Sequence, residues 1–363
     1  MSISKQAILE ALRSIQEPDL KKDIVTLNLV KIVHAKGHDI ELEIKVSNPA
    51  MHARMRMKEA VIFAIQRTLG FEFKTKVDVI PISGDEREGD LRKVLPGVKN
   101  IIAVTSGKGG VGKSTISANL AVGLAQKGHT VGYLDADIYG PSAPLMFDLQ
   151  HEKPRLIQID GVSKLEPILQ YGVKVLSIGF FADLNQAVVW RGPMATKALT
   201  QMVNDAHWGP LDYLILDLPP GTGDVHLSIV QQIPLTAALI VSTPQPVALI
   251  DAAKAVAMFQ LPAINVPILG FVENMAWYTP HENTQEKIYL FGQDGTKNMA
   301  ADFSLPLIAQ IPLIQGIREA GDVGRPAILQ EDTSMNYHLT EFIGNFEREM
   351  RMLPFRKQKT ESA

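Results

Sequence analysis

The sequence predicts an α/β protein: a mostly parallel, doubly wound sheet with helices on both faces, preceded by a small α+β domain. Three observations predict it. From residue 98 onward, short and largely apolar runs alternate with helix-period segments, the pattern of parallel strands buried on both sides. A glycine-rich loop, Ser106-Gly107-Lys108-Gly109-Gly110-Val111-Gly112-Lys113-Ser114-Thr115, lies between the apolar run Ile101-Ile102-Ala103-Val104 and a helix-like run from Ile116 to Gln126. A stretch rich in Pro, Gly and charge at 81–97 separates this region from the first 80 residues.

Within residues 1–80, Ala7 to Ile15 carries helical spacing. Leu29 to Ala35 and Ile40 to Val46 read as strands joined by a turn at Lys36-Gly37-His38-Asp39. Met51 to Leu69 reads as a helix and Lys74 to Ile80 alternates like a strand, giving the order α-β-β-α-β. Pro81, Gly84, Gly89, Pro96 and Gly97 mark the linker, 81–97. In the domain at 98–350, strands are expected at 100–105, 130–135, 173–178, 212–217, 237–242, 267–273 and 306–311. Helices are expected at 113–127, 194–206, 225–232, 247–260, 295–303 and 313–321, with an inserted hairpin or extra strand pair in 150–178. Leu339, Phe342, Ile343, Phe346 and Met350 have the spacing of a helix docked on the core; 351–363 reads as a solvated basic tail.

Apolar residues make up 46% of the 363, enough for a core in one large domain or two. A net charge of −3 provides no global basic field for nucleic acid. No apolar run approaches the roughly 18 residues of a membrane span, and Met1-Ser2-Ile3-Ser4-Lys5-Gln6 lacks a signal-peptide core. The expectation is a soluble, cytoplasmic protein with no nucleic-acid and no membrane partner. With no cysteine, the chain has no disulfide and no thiolate-ligated zinc or iron–sulfur site of its own.

The loop is a phosphate cradle in composition and context. Glycines 107, 109, 110 and 112 let backbone N–H groups turn inward around phosphate oxygens, and the next helix points its positive end at the same anion. Lys113 reaches the β- and γ-phosphates and the Ser114 hydroxyl ligates Mg²⁺ in such a loop, so Gly107 through Thr115, Val111 included, form the candidate ATP site. Phosphate binding needs only Lys113, so Lys108 requires another explanation. Leu214-Ile215-Leu216-Asp217 is an apolar strand ending in a carboxylate, placing Asp217 near Mg²⁺, and Pro219-Pro220-Gly221-Thr222-Gly223-Asp224 follows as a loop suited to sensing the γ-phosphate. Val131 to Asp137 is a second strand ending in carboxylates, Asp135 and Asp137, which either cap the next turn or take part in chemistry. Asn274, closing another strand, offers the donor and acceptor that suit an adenine edge. Gln310-Ile311-Pro312 either lines the same base pocket or simply ends a strand. Arg191 either contacts a ligand or partner or forms a structural ion pair.

The loop resembles that of the deviant Walker A ATPases (the ParA, MinD, ArsA, NifH and Mrp group), whose signature lysine matches Lys108. The whole chain resembles the Mrp/ApbC family of iron–sulfur cluster carrier ATPases. The matching segments are Glu17-Pro18-Asp19-Leu20, Asp23 to Val30, the loop at 106–115, Asp135 to Ser142, and Trp190-Arg191-Gly192-Pro193-Met194. Asp217 to Asp224, Glu273-Asn274-Met275, Phe291-Gly292 and Ile317-Arg318-Glu319 complete the series. The resemblance implies a ParA-like P-loop fold, a small iron–sulfur-assembly-type domain at 1–80, and a homodimer in which Lys108 reaches the partner's nucleotide. It implies that Asp137 orients or deprotonates the attacking water, that Asp135 supports Mg²⁺ or its waters, and that Asn274 lies at the base. It also implies cluster scaffolds or client apoproteins as partners.

The same family carries a Cys-x-x-Cys between the segments matching 273–275 and 291–292, which bridges a [4Fe–4S] cluster in the dimer. Here that interval runs from Ala276 to Leu290 without cysteine; His281, Glu282 and Glu286 have no convincing ligand spacing. The small domain also has Asn48-Pro49-Ala50-Met51-His52 where a cysteine often follows the second strand. Three functions compete: a dimeric ATPase of iron–sulfur assembly, a ParA/MinD-like positioning switch on DNA or membrane, and a nucleotide-binding scaffold without hydrolysis. Glu341, Glu347 and Glu349 make the C-terminal helix a poor face for anionic lipid, and Ser114, Asp137 and Asp217 argue against lost hydrolysis.

Overall fold

A computed structural model of the chain describes residues 5–18, 22–27, 29–46, 51–70, 73–81, 95, 97–159, 161–181, 192–262, 264–280, 286–331 and 333–361. The chain divides into two units, Met1–Asp90 and Leu91–Ala363, with the division inside the expected linker.

The first unit consists of helix α1 (Lys5–Leu12), a short antiparallel pair β1 (Gln16–Glu17) and β2 (Lys22–Asp23), strands β3 (Val30–Lys36) and β4 (Asp39–Val46), helix α2 (Met51–Leu69) and strand β5 (Lys74–Pro81). The sheet order is β3-β4-β5, with β3 antiparallel and β5 parallel to β4. Alternation along β4 explains the packing: Ile40, Leu42, Ile44 and Val46 are buried, with Asp39, Glu41, Glu43 and Lys45 on the other face. Val61 and Ile65 of α2 and Ile8 and Leu12 of α1 close this core.

The second unit is built on an eight-stranded sheet of order β10-β11-β7-β12-β6-β13-β14-β15. Its strands are β6 (Val98–Thr105), β7 (Val131–Asp135), β10 (Ile168–Gln170), β11 (Val173–Ser177), β12 (Leu211–Asp217), β13 (Ala237–Ser242), β14 (Ile268–Asn274) and β15 (Leu307–Ile311). Every pairing is parallel except that of edge strand β10 with β11. A separate hairpin, β8 (Arg155–Ile159) and β9 (Val162–Glu166), precedes β10, so the 150–178 insertion holds both a hairpin and an extra edge strand.

Successive strand residues feed opposite cores. Ile102, Val104 and Ile215 join a core with helices α3 (Lys113–Gln126) and α10 (Ser334–Glu361). Ile101, Ala103, Leu214 and Leu216 join the other, with α5 (Gly192–Asp205), α6 (Asp224–Gln232), α7 (Pro246–Phe259) and α8 (Gly295–Asp302). The remaining helices are α4 (Ala143–Met146) and α9 (Gln315–Asp322). Helix α10 runs past residue 350 to Glu361, and its Leu353 is buried in the first core. No helix among the described residues is long and apolar enough to cross a membrane.

Candidate functional site

The carboxyl ends of the central strands converge at the loop between β6 and α3, where an open α/β sheet places its ligand. Two glycines show why this loop takes its path. Gly112 has φ +81°, and a Cβ there would collide with the Asn274 amide. A Cβ on Gly107 would strike the Asp251 backbone of α7. Gly112 is also the N-cap of α3 and supplies no side-chain cap, so the first N–H groups of the helix face the loop without a side-chain acceptor. That is a cradle for an anion.

Charge is concentrated beneath it. Lys113 is 6% exposed, and its ammonium lies 2.6 Å from Asp217 Oδ1, 3.2 Å from Ser114 Oγ and 3.7 Å from Asp137 Oδ2. Asp217 is fully buried, and its Oδ2 has no hydrogen-bond partner, an orphaned anionic oxygen of the kind a hard cation satisfies. Asp137 is held by its own turn: Oδ1 accepts the N–H groups of Tyr139 (3.1 Å) and Gly140 (3.2 Å). Asp135 is held by protein donors on both oxygens. Its Oδ1 accepts Asp137 N–H (3.1 Å), while Oδ2 accepts Ala143 N–H (3.0 Å) and the Ser177 hydroxyl (2.9 Å). Both oxygens are thus committed, and the group shapes the loop that carries Asp137. Burial first, and then the negative charge of Asp217, raise the Asp135 carboxyl to about 7.

A cavity of about 450 Å³ opens over this cluster. It is lined by Gly109, Gly110, Gly112, Lys113, Ser114, Thr115 and Asp137, and also by Asn274, Met275, Pro312, Ile314 and Ile317. Asn274 Nδ2 donates to the Val111 carbonyl (2.8 Å), which orients the amide and leaves Oδ1 as an acceptor. Gln310 does not line the cavity. Its amide donates to Glu273 Oε1 (2.6 Å) and Asp294 Oδ1 (3.0 Å), and Glu273 in turn accepts Thr296 N–H (2.6 Å) at the start of α8, so Gln310 braces strands. Gly107 and Val111 shape the loop without lining the cavity.

Lys108 stands apart from the rest of the loop. It is not among the cavity-lining residues, and among the described residues its ammonium pairs with no carboxylate. Ser106 joins it to the loop after β12: the Ser106 hydroxyl donates to the Lys108 carbonyl (2.9 Å), and the Ser106 carbonyl accepts Gly221 N–H (2.8 Å). His226 anchors the same loop through Nδ1 and the Pro219 carbonyl (3.0 Å). Burial lowers this imidazole to about 4, so it is a neutral donor. Sequence reasoning missed His226, Ser106 as a link, and the Leu145 and Met146 walls of the cavity; Arg318, noted there only within a matching segment, lines the cavity too. Only fold-level proximity reveals them, since each is an ordinary residue in its local pattern.

Arg191, His281 and Glu282 lie outside the described residues, and Glu286 is exposed. Around them, Tyr278 and Ile288 exchange backbone hydrogen bonds of 2.8 Å, and Lys287 Nζ lies 3.7 Å from the centre of the Trp277 ring. No group of three or more metal-ligating side chains occurs among the described residues.

Comparison with known proteins covers both units. Residues 97–346 match the NUBPL iron-transfer P-loop NTPase family, and residues 5–79 match the iron–sulfur cluster assembly protein family. The chain is 40% identical over 332 residues to the iron–sulfur cluster carrier protein of Synechocystis sp., covering 92% of this chain and 93% of that one. It is 44% identical over 254 residues to the iron–sulfur cluster transfer protein NUBPL of Dictyostelium discoideum, covering 69% and 76%. A nucleotide-binding protein of Archaeoglobus fulgidus, solved in complex with ADP, superposes with a TM-score of 0.58 at 37% identity, covering 68% of this chain and 94% of that one.

Proposed function

Because this chain belongs to the iron–sulfur cluster carrier family of P-loop NTPases, we propose that it is a homodimeric ATPase that drives cluster handling while leaving cluster ligation to other chains. The observation that carries the ATPase reading is the set of buried Lys113, Asp137 and Asp217 with half-buried Ser114 at the glycine cradle.

In this reading the α3 N-terminus, the loop N–H groups and Lys113 hold the β- and γ-phosphates. Asn274 Oδ1 accepts from the adenine amino group; guanine presents an oxygen at that edge, which disfavours GTP. Ser114 and the orphaned Asp217 oxygen would hold Mg²⁺, which neutralises charge between phosphates when bound. Asp137 orients the attacking water and takes its proton as the water oxygen bonds to γ-phosphorus and the bond to the β–γ bridging oxygen breaks, giving ADP and phosphate. Lys108, which does not line its own cavity, reaches the partner's phosphates, and the Gly221–Ser106–Lys108 chain transmits the state of the γ-phosphate loop to it. A cluster, as cargo, needs thiolates from a scaffold or client protein, since this chain has none.

Phosphate release by the wild-type chain, Lys113→Ala and Asp137→Ala tests the reading. Activity confined to the wild type supports it; equal rates in all three sink the assignment.

A further inference from the structure

We infer that Tyr133 is a positioning residue of the nucleotide site, its hydroxyl bracing from inside the core the turn that carries Ser114. The inference rests on the P-loop ATPase reading above. Tyr133 is fully buried in the middle of β7 and packs on Phe147 with ring centres 5.0 Å apart. Phenylalanine would fill the same volume without a polar atom to desolvate, so the hydroxyl requires a partner. It has one: Tyr133 Oη lies 3.0 Å from Ser117 Oγ. The Ser117 proton is already given to the Ser114 carbonyl at 3.0 Å, so Ser117 accepts and Tyr133 donates. Two hydrogen bonds thus lead from the core of β7 to the residue whose own hydroxyl contacts Lys113 at 3.2 Å.

Two further facts make this donor suited to the site. Burial first, and then the charges of Asp217 and Asp135, push the phenol pKa well above its ordinary value. The strand register also places it behind the other cation-binding candidate: Tyr133 pairs with Ile215 on β12, two residues before Asp217, which pairs with Asp135. Tyr133 therefore sits on the strand beside the one that ends in Asp217, and its hydroxyl is two hydrogen bonds from Ser114. Without it, Ser117 loses the donor that steadies its hydroxyl on the Ser114 carbonyl, while Lys113, Ser114 and Asp217 remain in place.

The test uses the full chain and its Tyr133→Phe and Ser117→Ala variants. Calorimetric titration measures ADP binding with and without Mg²⁺, alongside thermal unfolding. Each variant is expected to need about two- to tenfold more Mg²⁺ for the same gain in ADP affinity, the size of one net hydrogen bond. Metal-free ADP affinity should stay within about twofold of wild type, and the double variant should add no further shift. An unchanged Mg²⁺ requirement overturns the inference. Equal weakening with and without Mg²⁺ overturns it too, since that marks a structural role alone. A wild-type chain that binds no ADP in either condition brings down the nucleotide reading instead.

Discussion

Removing the P-loop lysine should unfold part of the site as well as disarm it. Lys113 is the only partner of Asp217 Oδ1 among the hydrogen bonds of the described residues, at 2.6 Å, and Asp217 Oδ2 has none. Lys113→Ala therefore leaves a fully buried carboxylate without the ammonium that compensates its charge. Breaking a buried pair in this way costs about 3–5 kcal/mol. In a domain of this size that is a fall in Tm of about 6–20 °C. Urea unfolding of the nucleotide-free chain would measure it, in a cycle of Lys113→Ala, Asp217→Asn and the double variant. Replacing both partners removes the stranded charge, so the double variant should recover roughly 2 kcal/mol or more relative to the sum of the singles. A loss under about 1 kcal/mol in Lys113→Ala, or strict additivity, would refute the claim that these two groups hold each other in the core. The outcome also governs how loss of activity in Lys113→Ala is to be read.

Three other perturbations have defined outcomes. Asp135 has its folded pKa raised to about 7 from 3.8, so its contribution to stability is greatest below the unfolded value and falls as pH rises towards 7. Relative to Asp135→Asn, the wild type should lose on the order of a few kcal/mol between about pH 4 and 7 and run parallel above that; parallel urea profiles throughout would refute it. Gly112→Ala forces a left-handed backbone on alanine and drives its Cβ into the Asn274 amide, so it should cost about 1–2 kcal/mol and abolish ATP binding in a titration. Asn274→Ala frees both the Val111 carbonyl and the base end of the cavity, and should weaken ATP about tenfold while leaving GTP, already poor, nearly unchanged; an equal loss for both nucleotides would place Asn274 in the loop's support alone.

Much of this was legible in the chain. The loop at 106–115 could be read because its glycines, Lys-Ser pair, preceding strand and following helix are all local patterns. The helix Met51–Leu69 has the bounds its periodicity indicates. Pairs of residues distant in sequence were not legible. That Lys113 binds Asp217, 104 residues away, depends on the register of β12 beside β6. Asp135 and Asp137 look alike on paper, yet one is saturated by backbone and Ser177 while the other faces the cavity. Gln310 sits next to cavity-lining positions in sequence but is drawn away by Glu273 and Asp294. The strands β1 and β2 have two residues each, too short for any period to show, and α10 outruns its apolar stripe because a basic segment can remain helical.

The central claim is that this chain keeps the ATP machinery of its family while holding no cluster of its own. Anaerobic reconstitution of the full chain with iron and sulfide, followed by the visible spectrum of the desalted protein, tests it most directly. The account predicts a colourless protein; a stable, stoichiometric [4Fe–4S] absorption would contradict it.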